Sequence, residues 1–88
     1  MSKKLPKIGA LVAVTWLDSA RHADGCGWVQ REEISNDTLR MLSVGWVWAI
    51  NPTSITLAPH VDEEHTQGYG VLSIPLCSII KTTVLKDG

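Results

Sequence analysis

Apolar and polar residues alternate along most of this chain with the two-residue period of a β-strand. The runs that predict strands are 10–17, 39–50, 53–58, 69–74 and 79–85. Asn51 and Pro52 predict a tight turn that joins the second and third strands into a hairpin. Pro75 ends the fourth strand, and Leu76–Ser78 is short enough for one 3₁₀ turn before the fifth.

The second predicted strand, 39–50, has two unlike sides. One side carries the bulky residues Val44, Trp46, Trp48 and Ile50. The other carries the small residues Ser43, Gly45, Val47 and Ala49. A glycine inside such a strand commonly marks a bend or a bulge where a small barrel turns its corner. Core packing is the favoured interpretation of Trp46 and Trp48, and stacking on a nucleotide base is the alternative.

Three segments between the strands are rich in polar residues. Residues 18–27, DSARHADGCG, collect turn formers and predict a loop. Residues 29–37 predict at most a short helical turn, and 60–68, HVDEEHTQG, predict a charged loop. The fold class predicted from these elements is all-β, a small, five-stranded, strongly bent barrel with a 3₁₀ turn near 76–78. A flat antiparallel sheet with one helix over 28–42 is the alternative.

Length and composition predict one domain, 10–88, after a basic tail, 1–9. The chain has 88 residues, of which 44% are hydrophobic and four are Trp, enough for one packed core. Because a chain this short buries only about 60% of its unfolded surface, partner subunits would help to stabilise it. Neither cysteine, Cys26 nor Cys77, lies in a CxxC motif, and their settings do not predict a disulfide.

The charge balance argues against a nonspecific duplex-binding protein. Eight Lys and Arg oppose nine Asp and Glu, a net charge of −1, so no global cationic field is present. The lysines gather near the two ends of the chain, whereas the middle is acidic. The first residues contain lysines but no long apolar stretch before a cleavage site, which predicts a cytoplasmic protein without a membrane segment.

Two loops carry residues suited to ligand binding. Arg21 and the backbone amides around it could hold a phosphate, although a solvated turn is the more common role of such a sequence. His60 and His65 frame three acids, but their spacing lacks the helical framing of an HExxH zinc site, so no metal is predicted. Trp28 follows a glycine-rich loop and could line a pocket or an interface. The predicted ligand-binding residues are Asp18, Ser19, Arg21, His22, Trp28, His60 and Tyr69.

Signals of catalysis are weak. The sequence has no nucleophile elbow and no glycine-rich phosphate loop, so neither an enzyme nor a cofactor is predicted. Cys26 would be a reactive thiol only if Arg21 or His22 lowered its pKa. An enzyme remains an alternative only if the two histidine-bearing loops meet across a subunit boundary.

The chain resembles a family of small proteins from tailed bacteriophages and, through it, the Sm-like barrels, the group of Hfq and the LSm proteins. The segment 74–81, IPLCSIIK, is similar to the strand, 3₁₀ turn and strand that end an Sm-like barrel. The blocks that carry the resemblance to the phage family are 15–19, 27–28, 43–46, 57–60 and 70–75. The resemblance implies an oligomeric small barrel without catalytic activity. Leu76 and Cys77 stand where Hfq has a Lys-His pair.

These patterns together predict a non-enzymatic accessory binding protein of a phage or prophage. Its expected ligand is a nucleic acid or a nucleotide, because the chain ends are basic and Trp is abundant for so short a chain. One alternative is a module that docks on a host protein, for instance to inhibit a defence or transcription factor, which the acidic middle segment favours. Another alternative is a minor structural component of the virion.

Overall fold

A computed structural model of the chain describes residues 5–18 and 39–88, apart from the side chain of Leu39. The described strands are β1 (Leu11–Asp18), β2 (Leu39–Ile50), β3 (Ser54–Ala58), β4 (His60–Val61), β5 (Gly68–Tyr69), β6 (Leu72–Pro75) and β7 (Ile79–Lys86). Within these ranges there is no α-helix, and so no helix that is long and apolar enough to cross a membrane. The predicted all-β class and the 3₁₀ turn at Leu76–Ser78 are confirmed.

Five of these strands form one antiparallel sheet in the order β6-β3-β2-β1-β7, while β4 and β5 form a separate hairpin. The predicted five-stranded sheet is therefore confirmed. The alternative helix over 28–42 is wrong in its described part, because residues 39–42 belong to β2. The short helical turn predicted near 29–37 lies outside the described residues.

The edge strands of the sheet, β6 and β7, are joined by only the three residues of the 3₁₀ turn. In a flat sheet these edges would lie four strand spacings apart, about 19 Å. The four Cα steps from Pro75 to Ile79 span at most about 14 Å when fully extended, and less in a 3₁₀ turn. The sheet is therefore strongly curled. Because β6 and β7 do not pair with each other, the closed barrel expected from the sequence is not found.

β2 is the strand that carries the bend. Its first part, Leu39–Trp46, pairs with β1, and its last part pairs with β3 from Trp46 onward. A register shift between Val47 and Ala49 marks a bulge next to the change of partner. Gly45 lies so close to β3 that a Cβ on it would stand 3.1 Å from the carbonyl carbon and oxygen of Ala58. The predicted irregularity around this glycine is confirmed, with the bulge itself at Trp48.

The core lies on the inner face of the curled sheet. Its members are the apolar residues at alternate strand positions, Ala10, Val12, Val14, Trp16, Val47, Ile55, Leu57, Ile74 and Ile79. Burying one Val, Leu or Ile fully contributes about 1.5–3 kcal/mol to the free energy of unfolding. The one indole in this core, Trp16, donates its Nε1–H to Ser43 Oγ at 3.0 Å, so its polar atom is satisfied.

Two expectations about the inner face and the strands need correction. Trp46 and Trp48 are half-buried outside the core, because the inner side of β2 is its small side, Gly45 and Val47. The predicted strand 69–74 is two strands, since Gly70 has a φ of +74° that extended backbone does not allow. Between these two strands Val71 is exposed, whereas Ile74 in β6 is fully buried.

The close approach at Gly45 yields a test of the bend. Gly45→Ala places a Cβ against the backbone of β3, and we expect the free energy of unfolding to fall by about 1–3 kcal/mol in urea denaturation. Asp87→Ala, at an exposed position just after β7, is the control and should change it by less than about 0.5 kcal/mol. Equal stability of the two variants would show that β2 and β3 do not approach closely there.

Candidate functional site

The hairpin of β4 and β5 is built around the carboxylate of Asp62. His60 pairs with Tyr69 and Val61 with Gly68, so the turn is 62–67. Asp62 accepts hydrogen bonds from the amides of Thr66 (2.7 Å) and Gln67 (2.8 Å) and from the Thr66 hydroxyl. The Thr66 hydroxyl, and next the Gln67 amide, lower the pKa of Asp62 from its ordinary 3.8 to about 2. The ionised carboxylate therefore holds this turn together.

The hairpin lies on the outer side of the bend, over the tryptophans of β2. A Cβ on Gly68 would stand 3.1 Å from the Cβ of Ala58 and 3.3 Å from the Trp48 ring, so the hairpin lies in close contact with both residues. His65, which has a φ of +58°, sets its ring edge-on to Trp46, with centroids 5.8 Å apart and planes at 87°. The segment 60–68, predicted as a charged loop, is thus a packed hairpin that half-buries the two indoles.

An exposed pair of rings projects from the two strands of the hairpin. The centroids of His60 and Tyr69 are 6.3 Å apart with their planes at 55°, and Tyr69 is 79% exposed. They border an open depression of about 270 Å³ whose floor is Val61, Asp62, Gln67 and Gly68. Two of the residues predicted to bind a ligand are therefore brought together, with ring surface that a planar ligand can stack against.

Two further depressions lie near the N-terminal segment. One, of about 270 Å³, is formed by Ile8, Gly9 and Val47 together with the rings of Trp48 and His65. The other is larger, about 440 Å³, and lies between the segment 5–10 and β7. The larger one has no aromatic ring in its wall, so only the first shares the ring-rich character of the hairpin.

Electrostatics restrict what the hairpin can bind. The turn carries three exposed acids, Asp62, Glu63 and Glu64, which repel an anionic group placed directly beside them. Among the described residues, no polar or charged side chain is buried, and no group of three His, Cys, Asp or Glu side chains could hold a metal ion. The chemistry that the hairpin offers is ring stacking and hydrogen bonding through Gln67 and the backbone.

Of the other predicted ligand-binding residues, the structure describes only Asp18, which lies away from this site. Asp18 is half-buried at the far end of β1, seven residues from Leu11, which pairs with Trp46. That distance along a strand is about 23 Å. Ser19, Arg21, His22, Trp28 and Cys26 lie outside the described residues, so the phosphate loop remains a prediction. Cys77 is a free, exposed thiol in the 3₁₀ turn.

Sequence reasoning missed Trp46, Trp48 and His65 as parts of the site. The usable signal was the spacing of Asp62 and Thr66, since an Asp followed four residues later by Thr can close a turn through its carboxylate. Two-residue strands on either side are too short to show alternation. The hairpin packs on the indoles through contacts between residues about 20 positions apart in the sequence. No local sequence pattern reveals such contacts.

The carboxylate of Asp62 gives the hairpin a pH dependence. Because its pKa is lower in the folded hairpin than the ordinary 3.8, its stabilisation is complete above about pH 4 and is lost as the pH falls towards 2. We expect the amide protons of Thr66 and Gln67 to titrate together in NMR spectra with a midpoint of about 2. Asp62→Ala should abolish this titration and move both resonances upfield at pH 7.

Glu64→Ala is the matched control, because Glu64 is an exposed acid of the same turn. It should leave the midpoint of the Thr66 and Gln67 resonances unchanged. A midpoint near the ordinary value of 3.8, or resonances that Asp62→Ala does not move, would contradict the assigned role of the carboxylate.

Comparison with known proteins gives no family for this chain. No family model matches it, and no curated protein or solved structure is significantly similar to it. Because one fold hosts many unrelated functions, an all-β sheet does not by itself indicate an activity. Function is accordingly argued from the hairpin and its side chains.

Proposed function

We propose that this chain is a non-enzymatic binding module that holds a nucleotide or a single-stranded nucleic acid through the rings of the β4–β5 hairpin. The observation that carries the proposal is the exposed pair His60 and Tyr69 beside an open depression. An aromatic ring stacked on a base contributes about 1–3 kcal/mol and tolerates different bases, because every base has a flat face. Neither hydrolysis nor a metal takes part.

The acids of the turn determine how such a ligand lies. A phosphate next to Glu63 and Glu64 is disfavoured, so the base approaches the hairpin and the backbone of the ligand points away from the turn. Trp46 pairs with Leu11, which pairs with Lys86, so Lys86 lies about 10 Å across the sheet on the same face. Because few cationic side chains of the described residues lie near the hairpin, the affinity for a nucleic acid should fall only weakly as the salt concentration rises. For a single strand, each phosphate contact adds about 0.7 to the slope of log affinity against log salt concentration.

The wider proposals about this chain rest on its resemblance to phage proteins and Sm-like barrels. The curled five-stranded sheet and the 3₁₀ turn between the last two strands support an Sm-like architecture. We therefore propose an accessory protein of a phage or prophage that acts in the host cytoplasm as a homo-oligomer. Exposed β6 and β7 edges in the described sheet agree with association between copies.

A second candidate is a module that docks on a host protein or joins a virion. The acidic turn beside His60 and Tyr69 favours it, because aromatic rings next to carboxylates suit a basic protein surface better than a phosphate. The two candidates differ in one property that is simple to measure. A protein-docking hairpin has no affinity for an oligonucleotide, whereas a base-stacking hairpin does.

Tyr69 provides the sharpest test of base stacking. We expect Tyr69→Ala to weaken binding of a fluorescein-labelled single-stranded oligonucleotide about 5-fold to 150-fold in anisotropy titrations, the range of one lost stacked base. Tyr69→Phe keeps the ring and should bind within about twofold of the wild type. Equal affinity of the Ala and Phe variants, or no oligonucleotide binding by the wild type, would contradict base stacking and favour protein docking.

A further inference from the structure

One face of the curled sheet, here called the outer face, is the side of β7, β1 and β2 that points away from the core. Residues that pair directly across neighbouring strands project to the same side. β1 contributes the half-buried Ala13 and Thr15 between two exposed rows. The outer face consists of Leu11, Ala13, Thr15 and Leu17 of β1, Arg40, Leu42, Val44 and Trp46 of β2, and Lys81, Thr83 and Lys86 of β7.

The middle of the outer face is apolar and uncovered by described residues. The hairpin reaches Trp46 through His65. Beyond it, Leu42 is 70% exposed and Val44 is 49% exposed. Exposed apolar side chains that are contiguous on one surface commonly mark an interface, whereas single exposed ones do not. Ala13 and Thr15 pair directly with Val44 and Leu42 and place two small, half-buried side chains beside them.

Charged residues lie towards both ends of the outer face. Arg40 lies at one end, and at the other end the ring of His65, which follows the acids Glu63 and Glu64 in the hairpin turn, contacts Trp46. Arg40 and Trp46 are six residues apart on β2, about 20 Å. Arg40 forms no ion pair within the described part of the chain. The face thus carries Arg40 at one end, Lys81 beside the apolar residues of its middle, and Lys86 together with the acidic turn at the other end.

A two-fold rotation brings the Arg40 end of one copy over the end of the other copy that carries the acidic turn. A two-fold axis in the plane of contact and perpendicular to the strands exchanges the row of Leu42 with the row of Val44. The same rotation places Arg40 of one copy over Trp46 and the acidic turn of the other. Thr83 then faces Lys81 of the partner subunit, so no two lysines oppose each other there. The net charge of −1 per chain adds little repulsion between copies.

We infer that the outer face is the interface of a two-fold homodimer. Leu42 and Val44 of the two copies pack against each other at its centre, and Arg40 pairs with Glu63 and Glu64 of the partner subunit at each end. A nucleic acid is the less suitable occupant, because a phosphate backbone gains little from the exposed Leu42 and Val44. The inference deepens the proposed self-association and does not involve the binding of a ligand.

Two valines of almost equal exposure allow a matched test. Val44 lies in the centre of the outer face, and Val84, which is 47% exposed, pairs with the buried Val12 and so projects to the other side of the sheet. In sedimentation velocity runs at several concentrations, the wild type should reach twice the 9.6 kDa mass of one chain. Val44→Asp should raise the dimer dissociation constant at least tenfold, and Val84→Asp should leave it unchanged. Circular dichroism checks that each variant is folded.

Reversing the charges tests which ends meet. The dimer dissociation constant should rise at least tenfold in the single variant Arg40→Glu and in the double variant Glu63→Arg, Glu64→Arg. The triple variant, which combines all three substitutions, should restore the wild-type dissociation constant. A wild type that stays monomeric, a Val44→Asp variant that still dimerises, or a failure of the combined variant to recover would overturn the inference. An oligonucleotide affinity that falls with Arg40→Glu at constant monomer mass would instead assign the face to nucleic acid.

Failure of this inference can be separated from failure of the proposed function. The monomeric Val44→Asp variant retains His60 and Tyr69, so it should still bind the labelled oligonucleotide if the hairpin is the binding site. A variant that is monomeric and binds supports both proposals. A wild type that dimerises through the outer face but binds no oligonucleotide supports the interface alone.

Discussion

Three residues, Leu76–Ser78, join strands at opposite edges of a five-stranded sheet, and so short a connection is compatible only with a curled sheet. A curled sheet requires a strand that can bend while it pairs with neighbours on both sides. β2 is this strand, because it pairs with β1 up to Trp46 and with β3 from Trp46 onward. The missing side chain of Gly45 lets the backbone of β3 approach. The interior that results is lined mainly by Val, Ile and Leu, with one indole at Trp16.

The two sides of the bent strand β2 have different packing partners. The small inner side packs in the core, and the bulky outer side receives the hairpin over Trp46 and Trp48. Farther along the strand, Leu42 and Val44 remain exposed on the outer face. The hairpin that carries the proposed ligand site therefore packs on the same strand that carries Leu42 and Val44 of the proposed dimer interface. Association through Arg40 would place a positive charge next to the acidic turn and reduce its repulsion of anions.

The sequence predicts the strands of the large sheet well, because alternation and the flanking Pro and Gly residues are local signals. Alternation defines the two sides of a strand, but it does not say which side faces the core. For this reason Trp46 and Trp48 were wrongly expected in the core. The tight radius of the curled sheet decides which side faces the core, and it arises from the distant connection at Leu76–Ser78. His60 and Tyr69 were predicted as ligand residues, but their pairing was not predicted. Strands of two residues are too short to show alternation in the sequence, so the register between them cannot be read from it. Closure into a barrel was expected and is not found among the described strands.

We propose that the hairpin of β4 and β5 is the part of the chain that binds the ligand. NMR tests this proposal when amide and indole resonances of the ¹⁵N-labelled protein are recorded during titration with a single-stranded oligonucleotide. We expect the largest shifts within 60–69 and on the indole N–H groups of Trp46 and Trp48, with little change in the core strand β1. Shifts confined to other residues, or a spectrum that does not change at saturating oligonucleotide, would contradict it.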